Sequence, residues 1–480
     1  MLFRLFSIVL FSAFTCTALV AERPNVLFIS VDDLNDFPAF SGRYPDAKTP
    51  HMDRLAAQGM VFSRAHSQYP LCGPSRASIM AGLLPSTLGY DTHMKDEAVA
   101  RRAADLGTEL LHTYFANHGY TTLAVGKIFH HHVPKGSVDR SGGRGGFNEP
   151  TGKLRQNWPQ RGTSTDWARA PERDDQLPDH AAAEWAVKQL QADHEKPFFL
   201  MVGFLRPHVP WYVPEKWFDL YDRDEIALPP YKKDDLDDIP EIAKRISILE
   251  QMPRTDWAIE NDQWRDIVHA YLACISFADH QVGKVLDALA TSPYAGNTIV
   301  VLWSDHGYHL GEKNTFQKMS LWERSSHVPL VISAPGVEAG IRCDRVVSLL
   351  DLYPTLVEMA GLPANDKTEG RSLVPLLESP SIRWPYPAIT GWKENSFAIQ
   401  GERYRYLRYG DGSEELYDHS SDLDEQHNLA GNPDYKAVKK LMALTLRTIL
   451  NEGTGEQDTA RKAAELREQC ASLGATAIFP

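Results

Sequence analysis

Cysteine is scarce in this chain. Its 480 residues hold only five, too few for the disulfide framework of a small secreted scaffold, so a hydrophobic core must carry the fold. Long apolar runs are missing after the first twenty residues, which leaves no later stretch able to span a bilayer. Positive charge is in the minority. The 50 Lys and Arg face 63 Asp and Glu, a formal net charge of −13. A general nucleic-acid binder needs a basic face, so the balance argues against that class. It does not exclude a locally basic pocket for a small sulfated or phosphorylated substrate. The rest is ordinary globular composition, 43% hydrophobic and 24% charged. The length suits a large domain plus a smaller one.

The single long apolar stretch opens the chain. Residues 1–20 read MLFRLFSIVLFSAFTCTALV, with Arg4 ahead of an apolar run from Leu5 to Phe14 and small residues up to Ala21. This is the pattern of a secretory signal peptide, too short for a membrane span. Export to the periplasm or cell exterior is expected, or to a lysosome-like compartment in a eukaryote. Ala13, Phe14 and Thr15 make Cys16 a poor lipid-attachment site. With Cys16 removed, Cys72, Cys274, Cys343 and Cys470 remain. Cys343 and Cys470 are a candidate pair, and Cys274 falls on the apolar side of a helical pattern.

Short apolar runs recur at Asn25–Val31, Thr122–Val125, Pro197–Val202, Thr298–Trp303 and Pro329–Ser333. Each ends in Asp, Gly, Lys or Pro. Continuous rather than alternating hydrophobicity predicts strands buried on both faces. Helical patterns lie between them, the clearest over Trp264–Leu289, another from Asp351 to Gly361. The alternation predicts an α/β fold: a large, mostly parallel or mixed sheet flanked by helices. Ligands in such sheets gather at the carboxyl ends of strands. The stretches 134–175 and 224–262 read as surface loops. A linker rich in proline near 376–390 precedes four short runs and a helical pattern at about Tyr435–Asn451. These predict a small antiparallel sheet with a helix. The expected division is a signal peptide over 1–21, a catalytic domain over 22–378 and a C-terminal subdomain over 379–480.

Two strand ends carry acids. The first run leads into Asp32 and Asp33, and Thr298–Trp303 leads into Asp305 and His306. Adjacent carboxylates repel unless a cation lies between them, so the two ends together suggest oxygen ligands for a hard divalent ion. Either alone is more often a cap or a turn. The segment Leu71–Gly82 reads LCGPSRASIMAG. By composition it is a helix started by Pro74, with a buried Cys72 and an exposed Arg76. Its pattern, Cys-x-Pro-Ser-Arg, is more specific than that.

The pattern resembles the site at which a sulfatase cysteine is oxidised to formylglycine, with Ala81-Gly82 where sulfatases usually carry a small residue and glycine. The resemblance continues over nearly the whole mature chain. RPNVLFISVDDLN, TPHMDRLAAQGMVFSRAHSQYPLCGPSR, GKIFH, RPHVPW, SDHGYHLGE, HVPLVISAPG and LLDLYPTLVEMAGLP follow in the order of the type I sulfatase family, within the alkaline-phosphatase-like superfamily. GKIFH and SDHG are most similar to its iduronate 2-sulfatase branch.

That resemblance implies roles. Asp32, Asp33, Asp305 and His306 would hold one calcium ion, with oxidised Cys72 completing the shell. His306 stands where most of the family has Asn or Gln, and imidazole is a poorer calcium ligand than oxygen. Arg76 would hold the hydrated aldehyde. Lys127, His130, His208 and Lys318 would surround the sulfate. One hydroxyl of the hydrated aldehyde would attack sulfur, and His208 or Lys318 would protonate the leaving alcohol. His130 would then accept a proton as sulfate is eliminated. Cations around the anionic ester would offset the charge that moves in the transition state. The implied partners are a sulfated mono- or oligosaccharide substrate and a formylglycine-generating enzyme during maturation. Tyr308 and His131 are expected sugar contacts. Two rivals stay open: a phosphoester hydrolase on the same fold, and a sulfated-glycan binder without catalysis.

Overall fold

The computed structural model describes residues 23–145 and 156–450. The signal-peptide reading of 1–21 and the partner proposed for Cys343, Cys470, lie outside them. Nine strands form one mixed sheet. Its order is Ile341–Ser348, Met60–His66, Leu330–Ser333, Thr298–Ser304, Asn25–Val31, Phe198–Phe204, Thr121–Gly126 and Arg140–Gly143, with His327–Val328 paired to Met60–His66. The five strands from Thr298–Ser304 to Arg140–Gly143 are parallel neighbours. Leu330–Ser333 runs antiparallel to both strands beside it.

The central strands are buried on both sides, as their continuous hydrophobicity predicts. Side chains alternate between faces. Leu27, Ile29 and Val31 join Leu200, Val202 and Leu302 on one face, against the long helix Trp264–Ala290 and the helix Pro178–Leu190. Val26 and Phe28 join Phe199, Met201, Val301 and Trp303 on the other, against Cys72–Ala81 and Leu352–Met359. Cys274 is fully buried on the long helix, as its apolar position implies.

The C-terminal region forms a four-stranded antiparallel sheet, Ala388–Trp392, Ser396–Gln400, Tyr404–Arg408 and Glu414–Asp418, followed by the helix Lys436–Ile449. One face of this sheet packs on the helix through Ile399, Tyr406, Leu416, Leu441 and Met442. The other packs on Tyr69, Leu71, Leu321 and Trp322 of the larger region. Arg405 crosses that junction fully buried. It donates to the Leu321 carbonyl at 2.7 Å, to Ser326 Oγ at 2.8 Å and to Glu323 at 3.1 Å.

Two loop expectations need correction. The stretch 224–262 contains the helices Glu241–Ser247 and Thr255–Glu260. Its charge reads as solvated, yet Ile242, Ala243 and Ile246 are buried beside Trp392 of the small sheet. Within 134–175, Arg140–Gly143 extends the large sheet as its edge strand. Further on, Asp166 accepts from the backbone nitrogens of Gln156, Asn157 and Trp158 at 2.7–2.9 Å.

Candidate active site

The carboxyl ends of the parallel strands converge on one buried cluster. After Val31 the backbone turns sharply, with Asp33 at φ 60°. Tyr271 of the long helix pins the turn, donating its hydroxyl to the Asp33 carbonyl at 2.7 Å and accepting from Asn35 N at 2.9 Å. The next strand over delivers Asp305, whose Oδ1 accepts from Asp33 N at 3.2 Å. Two strand ends far apart in sequence thus present their acids to one point.

Close backbone approach sets the lysine beside them. A Cβ on Gly126 would lie 1.8 Å from the Gly203 carbonyl oxygen, so this strand end tolerates glycine alone. The following residue, Lys127, bonds Gly203 O through its own nitrogen at 3.0 Å. Its ammonium reaches Asp32 Oδ2 at 2.5 Å.

Cys72 is the first residue of the helix Cys72–Ala81. A helix N-terminus favours a negative charge there. Its Sγ lies 3.2 Å from Lys318 Nζ, 3.2 Å from His306 Nε2 and 3.8 Å from Asp33 Oδ1. Burial pushes the thiol up, but Lys127, Lys318, His306 and a hydrogen bond with His130 together hold it well below its usual range.

Arg76, one turn along, is fully buried rather than exposed. It donates to Asp305 Oδ2 at 2.8 Å, Asp32 Oδ1 at 3.2 Å, Ser30 Oγ at 3.1 Å and the Lys127 carbonyl at 2.6 Å. The guanidinium therefore clasps two of the three metal-candidate carboxylates, a fork that lysine cannot reproduce.

The remaining candidates surround the same point. Lys318 donates to Asp33 Oδ1 at 2.5 Å. Burial opposes its charge, but Asp33 and Cys72 raise its pKa well above the usual lysine value. Burial likewise opposes charge on His306, yet Asp305 and Cys72 raise it to about 9. Burial raises Asp305 to about 6, whereas Lys127, His208 and Arg76 outweigh burial and hold Asp32 low. His208 sits between two cis X-Pro bonds, with Nε2 4.0 Å from Asp33 Oδ2.

The three histidines 130–132 take different partners, although the rings of His130 and His131 meet edge to face with centroids 4.8 Å apart. His130 faces Cys72, His131 meets Asp96 at 3.4 Å, and His132 bonds Gly126 O and Ser141. They form a turn, closed by Phe129 N on the His132 carbonyl at 2.7 Å. Tyr308 is 1% exposed, bonds the Phe316 carbonyl and packs on Tyr271 and Trp211, a core position rather than an open sugar-binding face. An aromatic side chain two residues after His306 reads as surface, but the strand end it follows is itself covered. His131 keeps a half-exposed ring.

Sequence reasoning missed His93. Its ring stacks on His130 with centroids 3.7 Å apart and 18° between planes. It also fills the space that a side chain on Gly73 would need, 2.6 Å from that Cβ position. Nothing in the local sequence YDTHMKD marks it, because its partner is 37 positions away.

The donor set fits a hard cation. Asp32, Asp33, Cys72 and His208 bring ligand atoms within 4.8 Å of one another, as do Cys72, Asp305 and His306. Buried Asp33 Oδ2 has no hydrogen-bond partner, and carboxylate oxygens are the ligands calcium or magnesium would take.

Comparison with known proteins agrees. The sulfatase family profile matches residues 24–362, and the profile of the N-sulphoglucosamine sulphohydrolase C-terminal region matches 311–452. A sulfatase of Formosa agariphila is 44% identical over 89% of this chain and 87% of its own length. The iduronate 2-sulfatase of Mus musculus is 31% identical over 71% and 69% respectively. Among solved structures, the phosphonate monoester hydrolase of Agrobacterium radiobacter has a TM-score of 0.74 at 23% identity, covering 90% of this chain and 96% of its own. That likeness concerns the fold alone, which hosts more than one ester chemistry. The profile match and the 44% identical relative decide the family: the chain belongs to the sulfatases.

Proposed function

We propose that the chain removes sulfate from a sulfated carbohydrate, using residue 72, oxidised to formylglycine, as its nucleophile. The observation that carries this reading is the placement of Cys72 Sγ, 3.2 Å from both Lys318 Nζ and His306 Nε2. A buried nucleophile ringed by Lys127, Lys318 and His306 suits an anionic reacting centre whose negative charge shifts onto the leaving oxygen in the transition state. One calcium ion held by Asp32, Asp33 and Asp305, with His306 beside it, would supply Lewis-acid polarisation of the sulfate oxygens. The oxidised side chain would supply a hydrated aldehyde. The chain's own groups do the rest. Arg76 fixes the carboxylates, Lys127 and Lys318 neutralise the ester, and His208 or Lys318 donates a proton to the leaving alcohol. His130, held neutral chiefly by burial, accepts a proton as the aldehyde is restored.

The 31% identity to an iduronate 2-sulfatase puts sulfated uronates first among substrates. We also propose export guided by residues 1–21, and a division into a catalytic domain, 22–378, and a C-terminal subdomain, 379–480.

The test has two arms. The protein is co-expressed with a formylglycine-generating enzyme, and the peptide Ala65–Arg76 is weighed. An aldehyde in place of the thiol at residue 72 is expected. Released sulfate is then measured from a panel of sulfated mono- and oligosaccharides, with phosphate and phosphonate esters alongside. Cys72→Ala should release none. Turnover of the phosphorus esters with no turnover of any sulfate ester would overturn the reading.

A further inference from the structure

A cavity is lined in part by Gln68 and Tyr69, which shortly precede Cys72 in the chain. It has a volume of about 330 Å³ and lies between the loop after the cysteine helix and the first hairpin of the small sheet. That is the size range of small-molecule sites. Tyr69, Tyr90, Trp392 and Phe397 give it aromatic walls, and Asp91 and Lys393 stand at its sides. None of its lining residues belongs to the cluster around Cys72.

We propose that this cavity binds the sugar linked to the sulfated one, making the enzyme selective for di- and oligosaccharides. The inference rests on the proposed carbohydrate sulfatase activity.

Three observations support it. The first is distance. Tyr69 precedes Cys72 by three residues and Asp91 precedes His93 by two, and a chain covers at most about 3.6 Å per residue. Tyr69 is therefore within about 11 Å of Cys72 along the backbone, and Asp91 within about 7 Å of the ring that packs on Gly73 and His130. Both walls therefore lie only a few residues along the chain from groups at the reaction centre. Tyr69 ties them together, donating its hydroxyl to the Asp91 carbonyl at 3.0 Å.

The second is an unsatisfied amide. Gln68 lines the cavity, is fully buried, and has no hydrogen-bond partner at either Nε2 or Oε1. A buried carboxamide left unpaired is costly, and such groups in native proteins point to a missing partner. It offers two donors and an acceptor side by side, which matches a hydroxyl-rich ring and not an apolar guest.

The third is that the wall is held in place. Its hairpin turns at Glu394 and Asn395, with φ of 55° and 53°, the conformation of a tight hairpin. Arg245 grips the tip through both Glu394 oxygens at 2.5 and 2.6 Å. Aromatic faces receive the C–H face of a pyranose while Gln68 and Asp91 bond its hydroxyls.

The test uses matured full-length enzyme with three probes: 4-nitrophenyl sulfate, the sulfated monosaccharide that turns over fastest, and the disaccharide carrying that same residue. Wild type should show a higher kcat/KM on the disaccharide. Gln68→Leu should lower it about tenfold on the disaccharide, roughly one hydrogen-bonded pair, and leave the other two probes unchanged. Leucine replaces an unpaired amide, so folding should hold, with an equal or higher Tm. Lys393→Ala, at the surface, is the second variant and should also weaken only the disaccharide. Equal turnover of mono- and disaccharide by wild type overturns the proposal. So does a Gln68→Leu effect that is absent, or the same on all probes. No turnover of any probe, 4-nitrophenyl sulfate included, overturns the proposed activity itself.

Discussion

The imidazoles of His93 and His130 lie face to face, 3.7 Å between centroids. His130 in turn borders Cys72. The stack leaves His130 one orientation, set by a residue that itself rests on Gly73. His93→Ala should therefore lower kcat by about 10- to 100-fold, the cost of a misplaced catalytic group, with little change in KM. His93→Phe keeps the stack and should stay near wild type. In a His130→Ala background the His93→Ala change should add nothing, which steady-state kinetics on the double variant would read.

Metal removal has a separate signature. Protein stripped with a chelator should lose activity and melt at a lower temperature. Added Ca²⁺ should raise Tm in proportion to the logarithm of its concentration, as linkage requires. Zn²⁺ should restore less, because the donors are mainly carboxylate oxygens. Thermal melts across a metal series would show a flat response if the carboxylates hold no ion.

Acid should weaken the fold through His112. This side chain is buried, with Nε2 on Ser137 Oγ at 2.9 Å, and burial alone lowers its pKa from 6.5 to about 3. The unfolded chain then binds the proton more readily between those values, so stability falls as pH drops below about 6.5. At pH 5 the loss is about 2 kcal/mol, 1.5 units below the unfolded pKa. His112→Asn should show a shallower decline between pH 7 and 5 in denaturant titrations. An unchanged slope would refute this.

Arg405 should be costly to remove. Its guanidinium faces Glu323 at 3.1 Å and Glu425 at 3.3 Å, all three buried. Arg405→Met leaves two carboxylates without their partner and should cost about 3–5 kcal/mol. Calorimetry should find a large drop in Tm. A change within a degree or two would mean that His66 and His419, which also touch these carboxylates, suffice.

Much of the fold can be read along the chain, because the central strands are buried on both faces and show it as unbroken apolar runs. Asn25–Val31 and Thr298–Ser304 are clear for that reason, and the acids that end them are equally clear. Strands that mix polar and apolar residues are not. Met60–His66 carries Ser63 and Arg64, and Ile341–Ser348 carries Arg342, Asp344 and Arg345 with a register shift. Neither offers a run. The Cys-x-Pro-Ser-Arg segment is legible because its residues are consecutive. His93, Gln68 and Arg405 are not, because each acquires its meaning from a residue brought near only by folding.

Cys72 is 1% exposed, at the bottom of a site whose carboxylates are already clasped by Arg76, Lys127 and Lys318. No catalyst can approach that sulfur once the strands have closed. The oxidation proposed for residue 72 would therefore belong to the interval between synthesis and folding, and a chain that folded too quickly would keep its thiol. Speed of folding, usually an advantage, would then compete with maturation.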